Sequence, residues 1–238
     1  MFVLIHGGGL DARCWEPLVP LLDGEVVAVD LPGRGRRPAG LATVTLADFV
    51  AAVVDDLVMN DLEDVTLVGH SMAGITMPLV AAVVPERLRQ LVFVACAVPA
   101  KGESVADVLG SFSPTAAKIA AQLGPAVVDE EGRLNDDLAR AMFCNDMNGE
   151  QVAYTLARMV SEAAGVVDEP TDPRAAPSGM PRAYVRLLRD QSLTVASQDR
   201  AIENLGGADV VDLDAGHMAM ISAPNQLAEI LNSLRRSV

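Results

Sequence analysis

The stretch that decides the fold is Val65-Thr66-Leu67-Val68-Gly69-His70-Ser71-Met72-Ala73-Gly74. Its first four residues are apolar or β-branched, which predicts a short buried strand. From Met72 to Val84, apolar residues recur at helical spacing, which predicts a helix. The residues between the two elements must form a tight strand-to-helix turn, and a serine lies at that turn.

A serine on such a turn is typical of a nucleophile elbow, because the sharp bend holds the hydroxyl at the carboxyl end of a sheet. Ser71 is therefore the candidate nucleophile. Gly69 and Ala73 are small enough to let strand and helix approach closely, although Ala73 stands where glycine is usual. The backbone N–H of Met72 lies at the positive end of the helix and is a candidate donor to an oxyanion. The alternative is a chance Gly-x-Ser-x-small match in an ordinary turn.

Further short apolar runs alternate with helical patterns along the chain. The runs are Phe2–Ile5, Glu25–Leu31, Gln90–Ala97, Arg182–Leu188 and Asp209–Leu213. They are rich in valine and leucine and continuous rather than alternating, which predicts parallel strands buried on both faces. Helices are predicted at Trp15–Leu22, Leu46–Met59, Ser197–Leu205 and Asn225–Leu234. This alternation predicts an α/β fold with a doubly wound, mostly parallel sheet.

The stretch from residue 100 to residue 180 interrupts the alternation. It has little strand character, and its periodicity predicts helices at Leu134–Phe143 and Glu150–Glu162. A segment of this length with helices of its own is not a bare loop. We predict a helical lid at 100–180, inserted into a core formed by 1–99 and 181–238.

A glycine-rich motif, His6-Gly7-Gly8-Gly9, directly follows the first predicted strand. Without side chains in the way, a backbone N–H can point at an oxyanion, and Gly8 is the candidate donor alongside Met72. A nucleotide-binding loop is disfavoured, because the segment lacks both G-x-G-x-x-G and the lysine of a P-loop. A purely structural turn remains the alternative.

A serine nucleophile needs a base, and the chain contains only 3 histidines. His70 adjoins the serine and His6 belongs to the glycine-rich motif. His217 follows the last predicted strand, in the chain order serine, aspartate, histidine that is typical of strand–turn–helix hydrolases. Asp190, at the end of the preceding strand, is the predicted acid that orients His217. Asp214 is its main rival.

Composition excludes several classes of function. The formal net charge of -14 disfavours nucleic acid and anionic membranes as partners. Three scattered histidines and 3 isolated cysteines predict neither a metal site nor a disulfide. No signal peptide and no apolar run long enough to span a membrane is evident, so a cytoplasmic protein is expected.

With these residues, the chain resembles the plant methylesterase and hydroxynitrile lyase family and its bacterial esterase relatives, a branch of the α/β-hydrolases. The resemblance covers nearly the whole chain. It rests on Leu4-Ile5-His6-Gly7 with Trp15 and Pro17, on Val68-Gly69-His70-Ser71-Met72-Ala73-Gly74, on Phe143-Cys144-Asn145-Asp146, on Asp190 with Gln198, and on Gly216-His217-Met218-Ala219-Met220 with Pro224.

The resemblance implies an α/β-hydrolase fold, a Ser-His-Asp mechanism without a cofactor, and a small hydrophobic pocket beneath the lid. The candidate pocket residues are Gly7, Phe112, Phe143, Met147, Tyr154 and Met218. Plain core packing is the alternative for the apolar residues among them, because methionines and aromatics at helical spacing usually pack in a core.

The same resemblance separates two chemistries. The cyanide-releasing lyases of the family carry a threonine after the first histidine and a lysine after the last, where this chain has Gly7 and Met218. A serine carboxylesterase acting on small to medium apolar acyl or aryl esters is therefore expected, with a small-molecule ester as its partner and a homodimer as a possible assembly. A lyase, a lactonase, a C–C hydrolase and a small-ligand receptor with little catalysis remain the alternatives.

Overall fold

A computed structural model describes residues 1–108 and 113–237, and a six-stranded sheet runs through its centre. The strands are β1 (Phe2–Ile5), β2 (Val26–Val29), β3 (Val65–His70), β4 (Leu88–Val94), β5 (Arg182–Leu187) and β6 (Asp209–Leu213). Their order across the sheet is β2-β1-β3-β4-β5-β6, and every neighbouring pair is parallel. The predicted parallel sheet is confirmed, and each predicted strand has its counterpart.

Burial follows position in the sheet. Every residue of β1 and β3 is buried, as their continuous apolar sequences predict. The last strand differs because it lies at the edge, and in β6 only Leu213 is buried. Asp212 of this strand instead forms a surface ion pair with Arg186 of β5, at 2.8 Å. The prediction of burial on both faces is wrong for β6 and also for the opposite edge strand, β2, in which only Val29 is buried.

Helices cover both faces of the sheet. Within the described ranges they are α1 (Leu46–Met59), α2 (Met77–Val83), α3 (Val105–Val108), α4 (Pro114–Leu123), α5 (Asp136–Phe143), α6 (Gly149–Leu156), α7 (Ala164–Val167), α8 (Val195–Asn204), α9 (Ala219–Ser222) and α10 (Pro224–Ser237). α1 begins at a capping box, in which the side chains of Thr45 and Asp48 each accept a hydrogen bond from the other's backbone N–H.

Two hydrophobic cores lie on opposite sides of the sheet. On one side α1, α2 and α8 pack against the strands, with Phe49 beside Ile5 in the same cluster. On the other side α9 and α10 pack with Trp15 and Leu4. Because successive strand residues point to opposite faces, one apolar strand such as β1 contributes to both cores.

The first predicted helix is wrong. Trp15–Leu22 contains only the last residue of one short 3-10 helix, Ala12–Trp15, and the whole of a second, Val19–Leu21. Pro17 and Pro20 explain the difference, because proline has no N–H to donate within a helix.

Two other predicted helices change along their length. The helix predicted from Met72 begins as the 3-10 helix Ser71–Ile75 and continues as α2. The helix predicted at Glu150–Glu162 ends at Leu156 as α6. Beyond it the chain runs past the glycine-rich motif, and the N–H of Val160 donates to the carbonyl of Gly9 at 2.9 Å. Local spacing does not reveal such a tertiary contact.

The segment 100–180, called here the insert, lies between β4 and β5 and contains α3 to α7. The described part of the insert holds no strand of the sheet, only an isolated bridge between Val128 and Leu134. Buried residues of α5 and α6, such as Phe143 and Leu156, join the core that contains Trp15. No helix in the described ranges is both long enough and apolar enough to cross a membrane.

Candidate active site

Ser71 lies on a strained turn immediately after β3. Its φ angle is +53°, in the left-handed region that costs a residue other than glycine about 1–2 kcal/mol. The turn is also tight, because a Cβ added to Gly69 would lie 2.9 Å from the Cβ of Ala73. The N–H of Ala97 donates to the carbonyl of Ser71 at 2.9 Å, which ties the turn to the chain after β4. The local geometry is that of the predicted elbow.

Two side chains distant in sequence form a hydrogen-bonded chain that ends at the Ser71 hydroxyl. Nε2 of His217 lies 3.1 Å from Oγ of Ser71, and Nδ1 of His217 lies 2.7 Å from Oδ2 of Asp190. The carboxylate can only accept, so Nδ1 of His217 carries the proton and Nε2 presents a lone pair to the hydroxyl. His217 and Asp190 are both buried, which excludes water from their hydrogen bond.

The backbone fixes the orientation of Asp190. Its Oδ1 accepts hydrogen bonds from the N–H groups of Ser192 at 2.7 Å and Leu193 at 2.8 Å, which leaves Oδ2 facing His217. The rival acid, Asp214, lies at the surface and pairs with Arg189 at 3.0 Å. Of the two predicted candidates, the structure places only Asp190 against the imidazole.

His70 points away from the cavity and toward the chain that carries His217. Its Nε2 lies 2.9 Å from the backbone carbonyl of His217, so Nε2 must donate and carries the proton. Burial, reinforced by the neighbouring His217, holds the pKa of His70 well below its usual value. His70 is therefore neutral, and its hydrogen bond joins the turn at Ser71 to the loop that carries His217.

His6 ties the glycine-rich motif to the end of β2. Its Nε2 accepts from the N–H of Leu31 at 3.1 Å, and its Nδ1 donates to the carbonyl of Gly7 at 2.9 Å. Burial, together with the charge of Arg34, lowers the pKa of His6 to about 4. Like His70, it is a neutral structural histidine, and His217 is left as the one that faces Ser71.

The motif packs directly against the elbow. A Cβ on Gly7 would lie 2.9 Å from the Cβ of Ser71 and 2.9 Å from Nδ1 of His70, so this position has no room for a side chain. Among the described residues, no hydrogen bond to the N–H of Gly8 is found. Met72 is the second residue of its 3-10 helix, and N–H groups at helix starts lack intrahelical partners. Neither predicted donor therefore bonds to another backbone group in the described part of the chain.

A cavity of about 430 Å³ opens beside Ser71. Of the predicted residues, Gly8, Ser71, Met72 and Phe143 line it. Further lining residues include Val105, Val128, Leu134, Met142, Met159, Val160, Glu162, Asp168, Ser192 and Leu193. The lining is largely apolar, and its only ionisable side chains among the described residues are the carboxylates of Glu162 and Asp168.

Four other predicted pocket residues lie outside this lining. Met218 is fully buried in the core, and Met147 contacts the hydroxyl of Thr155 through its sulfur at 3.3 Å. The hydroxyl of Tyr154 lies 2.8 Å from the carboxylate of Glu16, near the surface. Gly7, within the glycine-rich motif, packs against Ser71 and His70 instead. Phe112, also predicted for the pocket, lies outside the described residues.

The insert forms hydrogen bonds to both loops that carry Asp190 and His217. Oδ2 of Asp146 accepts from the N–H of Gly216, next to His217, at 2.6 Å. Nδ2 of Asn145 donates to the carbonyl of Arg189, next to Asp190, at 2.9 Å. Neither residue was a predicted site residue, although both belong to the motif that carries the family resemblance.

Within residues 1–108 and 113–237, no group of three or more His, Cys, Asp or Glu side chains is placed to hold a metal ion.

The parallel sheet and the serine turn define an α/β hydrolase, and the chain belongs to the alpha/beta hydrolase family, whose model matches residues 2–230. The family predicted from the sequence is confirmed.

The similarity to individual relatives covers nearly the whole chain. Norfluorocurarine synthase 1 of Strychnos nux-vomica is 28% identical, with 100% of this chain and 96% of the relative covered. Polyneuridine aldehyde esterase of Rauvolfia serpentina is 27% identical, with 97% and 93% covered. Among solved structures, an extracellular α/β-hydrolase from a Paenibacillus species superimposes with a TM-score of 0.83 at 26% identity, covering 98% of this chain and 97% of that one. That protein shares structural and functional homology with tobacco salicylic acid binding protein 2.

Proposed function

We propose that this chain is a serine carboxylesterase that hydrolyses small to medium apolar acyl or aryl esters through an acyl-enzyme intermediate. One observation carries the proposal: Nε2 of His217 faces the Ser71 hydroxyl at 3.1 Å while Asp190 holds Nδ1 at 2.7 Å. The esterase among the relatives is consistent with this chemistry.

Each step follows from the positions of these atoms. His217 takes the proton of Ser71 as Oγ attacks the ester carbonyl carbon, and Asp190 stabilises the imidazolium that forms. The protonated Nε2 then gives its proton to the departing alcohol as the C–O bond of the ester breaks. Water, deprotonated by His217, attacks the acyl carbon and releases the acid together with the free serine.

The negative charge of the tetrahedral intermediate falls between two backbone donors. We assign these donors to the N–H groups of Gly8 and Met72, which flank Ser71 in the cavity lining. A well-aimed donor of this kind is worth about 3–4 kcal/mol in the transition state.

The cavity favours neutral, apolar substrates. Its volume of about 430 Å³ fits a ligand of modest size, and its described lining contains no basic side chain to bind a carboxylate. Because several lining residues come from the insert, we propose that residues 100–180 act as a lid that sets acyl preference. The lyase alternative is disfavoured, since Gly7 has no room for a threonine side chain and Met218 is buried in the core.

The decisive experiment replaces the nucleophile and a second serine of the same cavity. Ser71→Ala should lower the hydrolysis of p-nitrophenyl acetate by on the order of 10⁴-fold or more and abolish labelling by a fluorophosphonate. Ser192→Ala keeps its backbone N–H for Asp190 and should still be labelled. Wild-type hydrolysis by Ser71→Ala, with labelling intact, contradicts the proposal.

Acyl preference is tested with a series of p-nitrophenyl esters of increasing chain length. We expect kcat/KM to be highest for short and medium chains and to fall beyond about eight carbons, because longer chains exceed a cavity of this size. A maximum at longer chains would contradict the predicted substrate class and leave the nucleophile assignment intact.

A further inference from the structure

We propose that Glu162 is a positioning residue for the oxyanion loop, defined as His6–Gly9, and that Arg34 neutralises the Glu162 charge so that it does not oppose the oxyanion. The inference rests on the proposed serine hydrolase function and assigns a role to two side chains that the mechanism above does not use.

Both backbone polar groups of Gly9 are held by the segment that follows α6. Oε2 of Glu162 accepts from the N–H of Gly9 at 2.8 Å, and the N–H of Val160 donates to the carbonyl of Gly9 at 2.9 Å. Glu162 is itself fixed, because its own N–H donates to the carbonyl of Gly132 at 3.2 Å. The loop is therefore clamped from the insert side of the cavity.

This clamp matters because the loop contains three consecutive glycines. Glycine populates more backbone conformations than any other residue, and Gly9 has a φ of +63°. A hydrogen bond from Gly9 N–H to a fixed carboxylate sets the plane of the Gly8–Gly9 peptide. Because that bond also occupies the N–H of Gly9, the N–H of Gly8, in the preceding Gly7–Gly8 peptide, is the one left for the substrate oxygen. Without the clamp, the loop must be ordered during catalysis at an entropic cost.

A carboxylate so close to the oxyanion loop would repel the charge that develops there, unless a cation compensates it. Arg34 supplies that cation, since its guanidinium Nη2 forms an ion pair with Oε1 of Glu162. The Arg34 side chain is completely buried, and its guanidinium lies 5.0 Å from the centre of the Phe49 ring. Burial lowers the pKa of Arg34 to about 10, which still leaves it protonated at neutral pH.

The first test separates positioning from substrate binding. In Glu162→Ala, we expect kcat for p-nitrophenyl acetate to fall by about 10- to 100-fold with KM changed by less than about threefold, because the donor is disordered rather than removed. The affinity for a trifluoromethyl ketone, which forms a tetrahedral oxyanion on Ser71, should fall by a similar factor. In Glu162→Gln the amide oxygen can still accept from the N–H of Gly9. The decrease in log kcat should therefore be less than half of that in Glu162→Ala.

The second test isolates the charge. Arg34→Met leaves the Glu162 carboxylate uncompensated and should lower kcat by about tenfold or more. The double variant Arg34→Met with Glu162→Gln removes both charges and keeps the acceptor, so its kcat should exceed that of Arg34→Met alone. This comparison between two variants stands even if Glu162→Ala folds poorly.

A matched ion pair away from the cavity controls for general loss of stability. Asp56 pairs with Arg37, and both side chains are partly buried. Asp56→Ala should lower Tm without changing kcat. The inference is overturned if Glu162→Ala keeps wild-type kcat and inhibitor affinity, or if Asp56→Ala lowers kcat equally. If either outcome occurs while Ser71→Ala is inactive, only the role of Glu162 is refuted. If Ser71→Ala is active, the proposed function itself is refuted.

Discussion

Nε2 of His70 donates a hydrogen bond to the backbone carbonyl of His217 at 2.9 Å, and the two imidazole rings lie 4.6 Å apart. His70, which immediately precedes Ser71, therefore fixes the backbone of His217, whose side chain faces Ser71. Since β3 and β6 are not neighbours in the sheet, this contact joins the two loops directly across the carboxyl edge.

Replacing His70 by phenylalanine should weaken both stability and activity. The change keeps an aromatic ring but leaves the carbonyl of His217 without its donor, which costs about 1–3 kcal/mol of unfolding free energy. We expect kcat to fall by about tenfold, because His217 is less firmly oriented. Urea denaturation and steady-state kinetics measure the two effects. His70→Gln, whose amide can donate from a similar position, is the control. Equal kinetics for the two variants would show that the hydrogen bond is not the cause.

Asp190 and Asp214 provide a matched pair of aspartates. Asp190→Asn should lower kcat by on the order of 10⁴-fold, because the amide no longer enforces the tautomer with the proton on Nδ1 of His217. Asp214→Asn should leave kcat unchanged, since that side chain pairs with Arg189 at the surface. The comparison requires only kcat measured at one pH. A larger loss of kcat in Asp214→Asn than in Asp190→Asn would show that the assignment of the acid to Asp190 is wrong.

The contact between Asp146 and Gly216 predicts that the insert supports catalysis at a distance from the substrate. Asp146→Ala removes the acceptor of the Gly216 N–H, so that both the N–H and the adjoining loop lose their anchor. We expect about 2 kcal/mol lower stability and a decrease of about tenfold in kcat with little change in KM. Asp146→Asn keeps an oxygen acceptor and should recover most of the loss. An exposed aspartate of the same helical insert, Asp137, is the control position.

Buried histidines make the stability of the fold depend on pH. The pKa of His6 is about 4 in the native protein against 6.5 for an ordinary histidine, so below pH 6.5 the unfolded chain binds a proton that the native chain does not. The free energy of unfolding should therefore decrease as the pH falls from 6.5 to about 4, by up to about 3 kcal/mol from this group. His70, whose pKa is lowered by burial and by His217, acts in the same direction.

Urea titrations at several pH values between 4 and 7.5 measure this dependence. His6→Gln removes the titrating group, and its difference in stability from the wild type should become smaller as the pH falls. A constant difference across that range would show that His6 does not carry the predicted shift.

The strands were predictable because burial on both faces demands continuous apolar runs. The apolar side chains of Phe2–Ile5 and Val65–Val68 can be removed from water only if both faces of each strand are buried, and the structure has buried strands at both. Helix ends were less predictable. Glu150–Glu162 has helical periodicity throughout, yet the helix stops at Leu156 because the following backbone bonds to Gly9. Met147 and Met218 were assigned to the pocket for a related reason: they are apolar whether they face a cavity or a core, and only the packing of the chain distinguishes the two.

The sequence by itself determined the order of strands and helices, the elbow at Ser71 and the family, because these depend on local spacing and on residue types within a few positions of one another. Only the tertiary structure decided that Asp190 rather than Asp214 contacts His217, that Asp146 accepts a hydrogen bond from Gly216 next to His217, and that Glu162 and Arg34 lie beside Gly9. These relationships join residues up to 153 positions apart. They depend on the directions of the loops that follow the carboxyl ends of the parallel strands, and no local sequence pattern encodes those directions.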